Sequence, residues 1–288
     1  MDKIESNRKQ NVPQKFHEFS KKDKDKIAEI VETKYAETFL SPIVEDFVYA
    51  TTRALDFGDF FGRDNRKTEA VYMQEYGVIF MMEVDYTFSK APQTQEQVDE
   101  TVKAIKDNSN LPIILFPSGA KFLSKYADAV FFMSLLNSRN IDFIIREHVK
   151  GAPFVKKFGL EPISMGYIIV EPGMTAGKVG DADLVKQDDV KTAVGYALAA
   201  QYLGMKLLYF EAGSGAYYPV SDEMIKSIKE SADIPLIVGG GIRTPETARE
   251  KVRAGADIII TGTTLEKEKN LKKTLTNIIK AIEEIIWK

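Results

Sequence analysis

Cysteine is absent from this chain of 288 residues. Disulfides, thiol nucleophiles and zinc–thiolate centres are thereby excluded together. Histidine is nearly as scarce: the two present, His17 and His148, lie far apart with no metal-ligand spacing around them, which argues against a histidine-held metal. No apolar run reaches the roughly 20 residues of a membrane span. The amino terminus, Met1-Asp2-Lys3-Ile4-Glu5, has no apolar signal core. Strong net charge is lacking too. The 39 basic and 42 acidic residues are evenly mixed and sum to -3, so no nucleic-acid surface is expected. These absences predict a cytoplasmic protein with at most peripheral membrane contact. The length suits one large barrel or two modest domains, and no internal repeat or low-complexity linker marks a second domain.

What is present is concentrated between Leu207 and Thr263. Three short apolar runs there each end in glycine: Leu207 to Glu211 before Ala212-Gly213-Ser214-Gly215, Pro235 to Val238 before Gly239-Gly240-Gly241, and Ile258 to Ile260 before Thr261-Gly262-Thr263. Runs that are apolar without alternation suit strands buried on both faces, as in a parallel sheet covered by helices. Glycine after a strand lets the backbone approach an anion with its N–H groups. Thr244 as cap, Pro245 at the first position and Gly255 as stop delimit a helix between the second and third runs. Phosphate-holding glycines after the last two strands are the geometry of a (β/α)₈ TIM barrel, which is the fold expected here.

Upstream, strands are predicted at Val78 to Val84, Leu111 to Pro117, Ala129 to Ser134 and Pro162 to Val170. Helices are predicted at Thr94 to Asp107, Ser118 to Tyr126, Asn140 to Val149, Val190 to Leu203 and Leu271 to Trp287, with a long flexible loop at Glu171 to Gly177. Seven strands then alternate with helices from Val78 onward, so the eighth must precede Tyr76. Glu45 to Thr51 is the candidate. Residues 1–75 are read as a divergent segment, a helical cap plus that first strand, and residues 76–288 as the phosphate-binding barrel.

Side chains at the carboxyl ends of barrel strands face the mouth where chemistry occurs. Tyr209 and Glu211, two residues apart on one strand, face the same way. A carboxylate there can act as general base toward a substrate hydroxyl, and a tyrosine can orient that hydroxyl or offer its ring to a developing cation. Both residues also suit a packed, satisfied strand end. No lysine stands on the visible strand ends near Glu211, which disfavours the Schiff-base chemistry of an aldolase.

From about Leu111 to Thr263 the chain closely resembles the geranylgeranylglyceryl phosphate synthase family, archaeal TIM-barrel enzymes related to heptaprenylglyceryl phosphate synthases. The resemblance is carried by Ile113 to Pro117, Ser124 to Ala129, Phe131 to Asn137, Met165-Gly166-Tyr167, Val170 to Gly173, Tyr209 to Gly215, Val238 to Arg243 and Thr261-Gly262-Thr263. It implies a prenyltransferase of ether-lipid biosynthesis, commonly a homo-oligomer, joining sn-glycerol 1-phosphate to geranylgeranyl diphosphate with Mg²⁺ as cofactor. By the same resemblance Glu211 takes the proton from the glycerol hydroxyl and Tyr209 positions it. Tyr209, Phe210, Glu211, Ala212, Gly213, Ser214, Gly215, Gly239, Gly240, Gly241, Gly262 and Thr263 would hold the glycerol phosphate. An apolar groove for the tail is expected from Phe116, Phe132, Met133, Tyr167 and Met174.

Two family features are missing: an early Leu-Ile-Asp-Pro strand whose aspartate ligates Mg²⁺, and a second strand ending in Gly-Gly-Ser/Thr. Met81 to Thr87 stands in the place of the second strand, and its Glu83 and Asp85 share a face from which oxygen can ligate a hard cation. The alternative expectation is a non-catalytic relative that grips phosphate and has lost its metal.

Overall fold

Eight parallel strands close into a barrel in strict sequence order, as the computed structural model shows. It describes residues 48–53, 79–84, 95–107, 113–261, 274 and 277–282. The strands are β1 (Val48–Arg53), β2 (Ile79–Val84), β3 (Ile113–Pro117), β4 (Ala129–Leu135), β5 (Glu161–Ile169), β6 (Leu207–Glu211), β7 (Leu236–Gly239) and β8 (Ile258–Thr261). The helices are α1 (Gln95–Lys106), α2 (Glu147–Phe158), α3 (Met174–Val179), α4 (Val190–Tyr202), α5 (Asp222–Ser231) and α6 (Pro245–Ala254). β1 closes the ring by pairing with both β2 and β8, so the missing strand does come from before Tyr76. It begins three residues later than Glu45.

Strand parity builds two cores. On β6, Leu207 and Tyr209 join Ile114, Phe131, Met165, Ile237 and Ile260 inside the barrel. Leu208 and Phe210 face outward, with Val130, Ile168 and Val238, into the layer shared with the helices. That outer layer is filled from α4 by Ala193, Ala197 and Ala200, and from α5 by Met224, Ile225 and Ile228. Small alanines on α4 let the helix lie close to the sheet, and α5 shows the i, i+1, i+4 spacing of a core-facing stripe.

The ends of α6 follow their predicted chemistry. Thr244 caps α6 by accepting from the Thr247 N–H, and Gly255 ends it in the left-handed region. Ser221 and Asp189 cap α5 and α4 in the same way.

Three expectations are corrected. The helix expected over Ser118 to Tyr126 is only a 3₁₀ turn at Ala120–Phe122. The expected loop Glu171 to Gly177 contains the start of α3, where Gly177 and Gly180 leave room for Leu184 and Leu135. The helix expected to stop at Val149 opens with a π turn at Asp142–Arg146 and then runs on as α2 to Phe158, through Gly151 and Pro153. At the carboxyl end, residues 277–282 are helical, with Ile278, Ile279 and Ile282 buried in the outer layer. The helix expected near Ile27 lies outside the described residues.

Candidate active site

Parity places Tyr209 and Glu211 on the inner side of β6, and register sets Tyr209 beside Tyr167 of β5. The two rings stack with centroids 5.0 Å apart. Phe116 of β3 meets both edge-on, at 5.6 Å from Tyr167 and 5.9 Å from Tyr209. The Tyr167 hydroxyl donates to Glu211 Oε2. Glu211, 8% exposed, ends β6 and so stands at the barrel mouth, its carboxyl group oriented by the Tyr167 hydroxyl. Offset and edge contacts of this kind are worth roughly 0.5–1.5 kcal/mol each beyond burial, which makes the three rings a stiff wall.

The glycine turns after β6 and β7 lie against one another. A β-carbon on Gly240, whose φ is +79, would stand 2.7 Å from the Gly213 nitrogen; one on Gly241 would meet the backbone of Tyr218. No side chain fits between peptides at that separation, so these glycines are required by close approach as well as by φ. Ala212 N–H donates to the Gly239 carbonyl at 3.1 Å, which couples the two strand ends directly. Arg243 donates to the carbonyls of Gly215 and Ala216 at 2.9 and 2.7 Å. Gln187 adds a second clamp. Its amide donates to the carbonyls of Glu171 and Pro219, while its oxygen accepts from the Ser221 N–H at 2.8 Å. Neither clamp was singled out in the sequence for this role, because each joins segments remote along the chain.

Gly239 differs from its neighbours, for a β-carbon there meets the Tyr209 hydroxyl rather than backbone. Gly239→Ala is expected to leave the barrel folded but push Tyr209 off its seat. Displacement of a positioning group by about 1 Å can cost about 10²-fold in rate, so the turnover of Gly239→Ala, set beside its unfolding midpoint, checks the point.

A cavity of about 240 Å³ is lined at the barrel mouth by Glu211 and Ser214. It passes Phe116, Phe131 and Tyr167 and ends between the 3₁₀ turn and α2 at Leu123, Gly151 and Val155. Phe132 and Met133 line it as expected, together with Phe143 and His148; Met174 instead packs against the outer core. The His148 ring stands edge-on to Phe132 at 4.7 Å. Burial pushes the His148 imidazole below its ordinary range, opposed in part by the backbone carbonyls of Met133 and Ile145 and by Glu147. A depressed folded value means the unfolded chain takes up the proton first. Stability is therefore expected to be complete above the ordinary imidazole pKa of about 6.5 and to fall as pH drops below it. Denaturant midpoints across that window should show the slope in the parent and its loss in His148→Gln.

Of the residues expected to hold phosphate, Tyr209, Glu211, Ala212, Gly213, Ser214, Gly215, Gly239, Gly240 and Gly241 converge on adjoining turns at the mouth. Phe210 has its side chain in the outer layer, fully buried, and can offer the mouth only its backbone. Gly262, Thr263 and Asp85 lie outside the described residues. Glu83 lies next to the last residue of β2, in register with Phe116 of β3. Among the described residues no group of three or more His, Asp or Glu side chains is gathered to hold a metal. None of their helices is long and apolar enough to cross a membrane.

A closed parallel barrel with a carboxylate and two tyrosines at its mouth, glycine turns beside them and a mainly apolar cavity adjoining defines an enzyme of the (β/α)₈ class. Residues 91–284 match the PcrB family, and the chain belongs to it. It is 58% identical over 193 residues to a geranylgeranylglyceryl phosphate synthase of Thermococcus sibiricus, covering 66% of this chain and 76% of that one. Its fold is similar to the crystal structure of (S)-3-O-geranylgeranylglyceryl phosphate synthase from Thermoplasma acidophilum in complex with sn-glycerol-1-phosphate, with a TM-score of 0.73 at 38% identity over 83% of this chain and 94% of that one. The wild-type synthase of Thermoplasma volcanium gives a TM-score of 0.75 at 42% identity, over 83% and 93% of the two chains.

Proposed function

We propose that this protein transfers a geranylgeranyl group from geranylgeranyl diphosphate to sn-glycerol 1-phosphate. The observation that carries the reading is one mainly apolar cavity that joins the barrel mouth to α2: Glu211 and Ser214 line it at the mouth, and Phe131, Phe132, Leu123 and Val155, with Glu147 beside the 3₁₀ turn, line the rest. The allylic carbon–oxygen bond of the diphosphate breaks with its electron pair leaving on diphosphate. The glycerol hydroxyl oxygen forms the new bond to that carbon, and its proton passes to Glu211. Tyr167 orients the carboxylate, and Tyr209, held by its stack on Tyr167, is assigned to positioning the glycerol hydroxyl. The turns Ala212 to Gly215 and Gly239 to Gly241, with Gly262 and Thr263, are assigned to the glycerol phosphate, whose oxygens suit backbone N–H donors.

Mg²⁺ is proposed as the cofactor. It would supply neutralisation of the leaving diphosphate. Glu83 and Asp85 are its proposed ligands, through carboxylate oxygens that suit a hard cation.

Labelled sn-glycerol 1-phosphate incubated with geranylgeranyl diphosphate, with and without Mg²⁺, tests the reading. Label entering the organic phase only when metal and both substrates are present is the expected result. Phosphate binding indifferent to Mg²⁺, with no product at excess metal, would instead establish the non-catalytic relative.

A further inference from the structure

The wall of the cavity formed by the π turn and α2 has two chemically different sides. Inward it presents Phe143, Glu147, His148, Gly151 and Val155 to the cavity. Outward it exposes Ile141, Ile145 and Val149, the last of them 68% exposed, at one-turn spacing. The same segment carries Arg146, Lys150, Lys156 and Lys157 against only Asp142 and Glu147, four cations less two anions, in a chain whose net charge is -3. Both acids are already engaged, Asp142 with Arg146 at 3.8 Å and Glu147 with Lys150 at 2.6 Å. Alongside, Lys121 and Lys125 of the 3₁₀ turn region join Lys150, Phe154 and Phe158 around a surface hollow of about 580 Å³ whose one acid is Asp99, which already accepts from Gln95 and Ser124. Apolar side chains flanked by lysines are the pattern of a face that lies in the headgroup region of a bilayer, aliphatic groups inserted and cations against lipid phosphates.

We infer that this outer face docks on an anionic lipid surface, which deepens the proposed prenyl transfer and rests on it for its purpose. A second copy of the chain fits the face less well. A second copy would bring the same net positive face against itself, four cations and two anions on each side, whereas an anionic surface attracts it. Docking brings the thin wall of the cavity to the bilayer, where a geranylgeranyl donor with an apolar tail and an anionic head resides. The glycerol phosphate turns stay at the barrel mouth, served from water.

The test is co-sedimentation of the intact protein, without substrates, with vesicles of phosphatidylglycerol and, separately, of phosphatidylcholine. Binding to the first, weakened by added salt and absent with the second, is expected. Replacing both Lys156 and Lys157 by glutamine should lower partitioning about thirtyfold, at about fivefold per lysine. Val149→Asp should lower it as well. Both variants keep parental transfer rates on detergent-dispersed substrate, which shows that they are folded. Partitioning unchanged in both variants, or absent from the parent while transfer in detergent proceeds, would overturn the docking and leave the proposed reaction standing. A concentration-dependent dimer abolished by Val149→Asp would overturn it too, assigning the face to a second copy. Vesicle binding without any transfer activity would uphold the docking and remove the prenyl reading.

Discussion

Replacing Glu211 by glutamine is expected to lower prenyl transfer by about 10²- to 10⁴-fold, the usual contribution of a positioned general base. The amide keeps the size of the carboxylate and can still accept from the Tyr167 hydroxyl, so the stack of Tyr167 and Tyr209 survives. What is lost is the capacity to take a proton. The discriminating measurement is turnover beside affinity for glycerol phosphate: turnover collapses while affinity changes little. If both fall together, Glu211 shapes the site rather than acting in it. Full activity in the variant would remove Glu211 from the mechanism altogether.

One residue earlier the same strand predicts the opposite outcome. Phe210→Ala is expected to cost about 3–5 kcal/mol of folding stability, the range for emptying a buried aromatic site. Its side chain is fully buried in the sheet–helix layer, pointing away from the mouth. Leu208 and Val238 share that layer, and Ala193 and Ala197 on α4 are too small to fill the space left behind. Denaturant unfolding should show the loss directly. Substrate affinity of the remaining folded protein is expected to be near that of the parent. A stable but inactive variant would mean that Phe210 reaches the site, contrary to its parity.

The back of the barrel was legible because its physics is local. β6, β7 and β8 are uninterrupted apolar runs ending in glycine, and α6 carries a threonine cap, a proline at its start and a glycine stop, all within a few residues of one another. α2 runs on past Val149 because packing of Val155 into the core carries it through Gly151 and Pro153, which by themselves signal a break. α3 was hidden behind Pro172 and Gly173, whose turn chemistry looks the same whether a loop or a short helix follows. The site divided along the same line. Tyr209 and Glu211 share a strand, so parity alone joins them. Tyr167 lies 44 residues from Glu211, and only the pairing of β5 with β6 brings its hydroxyl to that carboxylate. Gln187 and Arg243 were opaque for the same reason, since both act by tying distant loops together.

The contact of Gly240 with Gly213 has a consequence for how such a protein can change. With peptide laid on peptide, the turns after β6 and β7 form one rigid piece, and a residue inserted in either must be answered by a shift in the other. Tailoring the mouth to a bulkier phosphorylated alcohol therefore calls for paired alterations in both turns, whereas lengthening the bore toward α2 needs only side chains and leaves that joint untouched.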